Sequence, residues 1–222
     1  MLSSAALQLI ALTTMTIDHI GAYLVDFNPL RVIGRIAMPL FVLMLSEGII
    51  YTRSRTKYFG RILVAAVLTE LPLWLMHNQL GATFSINILF SFLLCIIAAS
   101  LIERSWYFVC LLPLFVLLPE VLGIDYGGST VIMATCYAVA ARLFPQEDAA
   151  RKFIQSAGLV AATVYYVLLT GSSLQWWALL ALPLIWLYNG QKGRRLPRYV
   201  MYLYYPAHLL VIFLISWLPT VL

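Results

Sequence analysis

Charge is what this sequence has least of. Only 10% of its 222 residues are Asp, Glu, Lys or Arg, against about 25% in a soluble domain. Apolar residues reach 63%, above the usual share of about 45–50%. Together these figures exclude a water-soluble enzyme core, a disordered tail and a disulfide-stapled secreted module. Cysteine is scarce as well. Cys95, Cys110 and Cys136 each lie inside an apolar run with no CxxC spacing, so they read as small hydrophobes, and neither disulfide nor metal site is expected. No Lys or Arg precedes Asp18. A cleaved signal peptide needs a positive n-region, so the start reads as a retained first helix. GxSxG, HExxH and P-loop patterns are also missing, which removes the common hydrolase, zinc-protease and nucleotidase signatures.

Long apolar runs fill the chain instead. They fall at about 5–25, 30–51, 58–76, 84–102, 106–118, 127–144, 153–170, 174–188 and 199–221. A membrane helix takes on the order of 20 apolar residues. The reading is one transmembrane domain over residues 1–222, an all-α polytopic membrane bundle of about nine helices. Two runs are short: 106–118, and 174–188 with Pro183 inside it. At about 1.5 Å per residue they reach 20–23 Å against a hydrocarbon core of about 30 Å.

Loop charge decides whether those two cross. Arg53, Arg55, Lys57 and Arg61 form a +4 linker, as do Lys192, Arg194, Arg195 and Arg198. With nine spans and a cytoplasmic N-terminus, both linkers and the two weaker charged loops lie inside at +9, and the opposite side holds −2. Deleting the 106–118 span would put the second basic linker outside, against the positive-inside tendency. The C-terminus is then expected outside. Net charge +5 follows from the same rule and points to a bilayer, with no nucleic-acid partner.

Charges inside the runs cost about 2.5–3.5 kcal/mol each near the bilayer centre and default to a functional reading. Asp18, His19, Arg35, Glu70, Asn87, Asp125, Tyr126 and His208 all map to the outer half of the predicted bundle. A structural Asp18–Arg35 ion pair is the plainer alternative, but it leaves His19, His208, Glu70 and Asn87 unused. Glu47 sits beside Arg53, Arg55 and Lys57 and is expected to pair there; Glu70 has Arg35 as its candidate partner. Asp18 and His19 project about 100° apart on a helix, so Asp18 is expected to hold Arg35 while His19 faces a cavity as a general base. Asp, Glu and His chains also serve as proton relays. A proton-coupled transporter or flippase built on Asp18, His19, Arg35 and Glu70 therefore stands beside the enzyme reading, with a non-enzymatic scaffold third.

Several stretches resemble one family. TIDHIGA (16–22), LRVIGRIAMPLF (30–41), the SEG to TELP run (46–72), NILFSF (87–92), DYGGS (125–129) and YLYYPAHLLVI (202–212) are similar, in order, to the TraX family of small bacterial membrane proteins. Its namesake N-acetylates pilin. The resemblance implies an inner-membrane acyltransferase that draws acetyl from cytosolic acetyl-CoA. The acceptor would be an amine or hydroxyl of a membrane-presented or exported peptide or glycan. It makes His19 the base or acyl relay, Asp18 and Arg35 its supporting pair, and His208 a further catalytic position. Glu70, Asn87, Asp125 and Tyr126 would bind substrate. Arg53, Arg55, Lys57, Arg194 and Arg195 would draw the phosphates of acetyl-CoA.

Overall fold

The computed structural model describes residues 1–83, 85–146, 148–193 and 197–221. Ten α-helices span Ser4–Tyr23 (α1), Asn28–Gly34 (α2), Ala37–Tyr51 (α3), Arg55–Leu80 (α4), Leu89–Arg104 (α5), Leu112–Val121 (α6), Gly127–Leu143 (α7), Ala149–Thr170 (α8), Leu182–Leu187 (α9) and Arg198–Val221 (α10). A 3-10 helix, Trp106–Leu111, runs into α6, and another, Ser173–Ala181, runs into α9. Taking α2 with α3 and each 3-10 turn with its α-helix, nine helical segments among the described residues stand where the sequence places nine apolar runs. The fold is all-helical, and the structure assigns no strand among those residues beyond isolated bridges at Leu2–Tyr188 and Ile86–Ile124.

Four segments are long and apolar enough to cross a membrane: Asn28–Tyr51, Arg55–Leu80, Ala149–Thr170 and Tyr199–Leu218. Three shorter apolar ones are Leu89–Ile102, Tyr107–Val121 and Ser173–Leu187. Helix α4 shows an outer stripe of exposed Leu63, Val64, Val67, Leu68, Leu71 and Trp74. An apolar face of that extent belongs against lipid tails. Helices α1 and α7 are not among the apolar candidates. They carry Thr14, Thr16, Asp18 and His19, and Ser129, Thr130 and Thr135, and they lie against protein: α7 packs on α3, α5, α6 and α8, and α1 on α2, α3 and α10.

Prolines set the irregularities. A proline ring clashes with the carbonyl four residues earlier. Pro39 therefore presses on Arg35, and the second segment breaks there, between α2 and α3. Pro113 and Pro183 stand near the starts of α6 and α9, and the residues before each wind as 3-10 helix. That form rises about 2.0 Å per residue rather than 1.5. Both short segments are thereby stretched to about 27 Å, close to the ~30 Å hydrocarbon core.

Glu47, expected to pair with the Arg53–Lys57 cluster, is held by Arg151 and Tyr188 instead. Its carboxylate accepts from the buried Arg151 of α8 at 2.5 Å and from the Tyr188 hydroxyl at 3.1 Å. Local spacing favoured the nearby arginines, but the packing of α3 against the α8–α9 region brings Arg151 to the carboxylate first.

Candidate functional site

The break at Arg35 opens one wall of a cavity of about 460 Å³. Gln8, Gly48, Tyr58, Met201 and Tyr202 line one end, beside the first basic linker. Tyr23, Arg31, Thr83, Ser85, Asp125 and Tyr126 line the other. The middle is apolar, walled by Met15, Met38, Phe41, Met44, Leu45, Ile62 and Phe92. Along α1, Gln8 to Asp18 is about 15 Å.

Asp18 and Arg35 form a buried ion pair between α1 and the α2–α3 break. A Cβ on Gly34 would overlap the Asp18 side chain, so the glycine is what lets the carboxylate reach its partner. The Arg35 guanidinium also lies over the Tyr126 ring, 5.5 Å from its centroid, a cation–π contact. Tyr126 holds that place at a backbone cost, with φ at 59°, a left-handed conformation unusual for a side-chain-bearing residue. The DYGGS stretch explains how. The Ser129 hydroxyl donates to the Tyr126 carbonyl, Glu120 accepts from the Gly128 N–H at 2.8 Å, and Asp125 donates its N–H to Ile86 at 2.8 Å.

His19 lines the cavity beside this pair. Its Nδ1 lies 2.6 Å from Nε2 of His208, with the rings edge to edge and nearly coplanar, 4.9 Å between centroids and 9° between planes. Nδ1 of His208 in turn meets the Tyr204 carbonyl at 2.8 Å. His208 is buried and stands behind His19, outside the cavity lining. Asp18, His19, Arg35, Asp125 and Tyr126 thus meet at one chamber, with His208 against its wall.

Glu70 and Asn87 meet each other rather than the chamber. Glu70 accepts from the Asn87 amide group at 2.5 Å and from its backbone N–H at 3.0 Å. Asn87 Oδ1 also accepts from Leu89 N–H at 3.0 Å, a side-chain turn that leads into α5. Arg35 is therefore not the partner of Glu70, and the α4–α5 strut takes its charge. Among the predicted phosphate ligands, Arg53 and Lys57 are exposed, and Arg55 donates to the Ile49 carbonyl at the end of α3 at 3.3 Å. Arg194 and Arg195 lie outside the described residues.

One basic residue was read from sequence only as loop charge. Arg61 stacks over Tyr58 at 5.7 Å and Tyr202 at 5.6 Å, and donates to the Tyr202 hydroxyl at 3.2 Å. Both tyrosines line the basic end of the cavity, and a Cβ on Gly48 would run into the Tyr58 ring. The signal was available: Tyr58 and Arg61 are three residues apart on α4, on one helix face.

Residues 3–216 match the family described as TraX protein. The chain is 30% identical over 231 residues to the "Probable fimbrial assembly protein FimC, serogroup H1" of Dichelobacter nodosus, covering 93% of this chain and 93% of that protein. It is 36% identical over 86 residues to the "Uncharacterized protein RP591" of Rickettsia prowazekii (strain Madrid E), covering 38% of this chain and 32% of the other. No solved structure matches.

Proposed function

The chain belongs to the TraX family, and on that premise we propose that it is an acyltransferase of the bacterial inner membrane. It crosses the bilayer nine times and moves acetyl from cytosolic acetyl-CoA to an amine or hydroxyl on a membrane-presented or exported acceptor. The observation that carries this reading is the cavity, which joins a basic end to a chamber holding a histidine beside a paired arginine. Its dimensions fit the donor. From phosphorus to sulfur the pantetheine arm has about thirteen bonds, about 15 Å at the per-bond reach of an extended chain, and about 15 Å separates Gln8 from Asp18 along α1. Arg61, with Tyr58 and Tyr202, supplies charge and aromatic faces for the phosphates and adenine at the basic end. The relative described as a fimbrial assembly protein favours a peptide acceptor of the pilin kind over a glycan.

His19 takes the proton from the acceptor as its nitrogen or oxygen lone pair attacks the thioester carbonyl. The carbonyl oxygen becomes an oxyanion facing Arg35 and the Tyr126 hydroxyl; one such donor is typically worth about 2.7–4 kcal/mol. When the tetrahedral centre collapses, the C–S bond breaks and the thiolate leaves with the proton returned by His19. Acetylated acceptor and free CoA result, and the enzyme regains its starting protonation.

The test is His19→Ala. Cells expressing the variant should insert it normally yet fail to acetylate envelope acceptors, as read by mass spectrometry, a loss of about 10²–10⁴-fold for a general base. Acetylation at the wild-type level would overturn the mechanism.

A further inference from the structure

We propose that His208 is a positioning residue that fixes the tautomer of His19, leaving His19 Nε2 as the proton-accepting atom. The inference deepens the acyltransferase reading and rests on it for its catalytic meaning, though the tautomer itself does not. A carbonyl oxygen only accepts, so at 2.8 Å from the Tyr204 carbonyl the Nδ1 of His208 carries a hydrogen. In the neutral pair, the state from which a base must start, Nε2 of His208 then bears the lone pair. It faces Nδ1 of His19 at 2.6 Å, so that nitrogen is the donor. By exclusion the second nitrogen of His19, Nε2, is bare. When His19 takes a proton there, its Nδ1–H stays on His208, which shares the new charge along the bond.

The frame around the pair is rigid. Thr16, one turn before His19, donates its hydroxyl hydrogen to the Leu12 carbonyl at 2.9 Å. The Tyr204 hydroxyl, 2.7 Å from Thr16 Oγ1, is therefore the donor in that contact. Tyr204 and His208 stand one turn apart on α10, and Thr16 and His19 stand one turn apart on α1. Two hydrogen bonds thus stitch the helices together at the level of the imidazoles and set the alignment of the two rings.

The protein has three histidines, so ¹⁵N-histidine labelling gives a spectrum in which each ring is assigned by single substitution. Proton-coupled ¹⁵N spectra of the full chain in lipid nanodiscs report which ring nitrogen carries hydrogen. His19 and His208 should both appear with hydrogen on Nδ1. His208→Phe keeps a planar ring without an acceptor and should move the His19 hydrogen to Nε2. His208→Gln places an amide oxygen near the lost Nε2 and should restore the wild-type His19 signal. In acetyl transfer, His208→Phe should lower kcat about 10²-fold with KM for acetyl-CoA unchanged, and His208→Gln should recover most of it. A wild-type His19 carrying its hydrogen on Nε2, or a His19 signal indifferent to His208→Phe, overturns the proposal. Where a variant fails to fold, the wild-type spectrum decides alone. Should the tautomer stand while no acetyl transfer is detected, the acyltransferase reading fails and the assignment of the imidazole pair does not.

Discussion

Two buried arginine–carboxylate pairs cross helices among the described residues, and they are built to different standards of closure. Glu47–Arg151 joins α3 to α8, and both carboxylate oxygens are engaged, one by Arg151 and one by the Tyr188 hydroxyl. Asp18–Arg35 joins α1 to the α2–α3 break at a cavity wall. There Asp18 Oδ1 has no hydrogen-bond partner among the described residues. The first pair, with both carboxylate oxygens occupied, is a structural lock. The second keeps hydrogen-bonding capacity next to a cavity, and its arginine lies over a tyrosine in a strained backbone conformation. Buried charge alone does not mark a site in a membrane bundle. Incomplete satisfaction beside a cavity does.

Substitutions on the two pairs should separate stability from transfer. Glu47→Ala leaves the Arg151 charge buried and should cost about 3–5 kcal/mol, read as a lower unfolding midpoint of the detergent-solubilised protein. Asp18→Ala strands Arg35 beside a cavity that water can enter, so its midpoint should fall less while acetyl transfer is lost. If the two variants lose stability equally and Asp18→Ala still transfers acetyl, the contrast between lock and site disappears. A smaller effect sharpens the other end of the cavity. Arg61→Gln should weaken acetyl-CoA binding about fivefold, as befits an exposed contact on the order of 1 kcal/mol, and the difference should shrink in high salt. Equal weakening by Arg53→Gln would show that the basic linker acts by diffuse charge rather than through the stacked arginine.

The helical plan was legible because apolar run length is a local property, and nine runs became nine helical segments. Asp18 meeting Arg35 was legible for a related reason: the two lie 17 residues apart on successive segments, within reach of any short antiparallel return. The break that frames Arg35 was written in Pro39, four residues on, but became readable only once the helix was seen to stop there. Longer-range partnerships were not legible. Glu47 and Arg151 are 104 residues apart, and nothing in the spacing of either says that a side chain of α8 reaches α3. Glu70 was likewise matched with a cation when a neighbouring amide supplies its hydrogen bonds. His19 and His208 were both singled out, yet sequence could not show which faces the chamber and which stands behind. That is decided by the rotation of α10 about its axis, a tertiary quantity. The stretching of the two short runs into 3-10 helix also escaped a length estimate that assumed α geometry throughout.

The central claim is that one continuous space carries the acetyl donor from the basic end to His19. Ala65 is buried and lines that space from the inner face of α4, and a tryptophan there would block it without replacing a residue of either ion pair. Equilibrium binding of radiolabelled acetyl-CoA to the purified protein tests the claim most directly. Saturable binding to the wild type that is abolished in a folded Ala65→Trp variant is the predicted result. Unchanged binding by that variant, or none by the wild type, would contradict it.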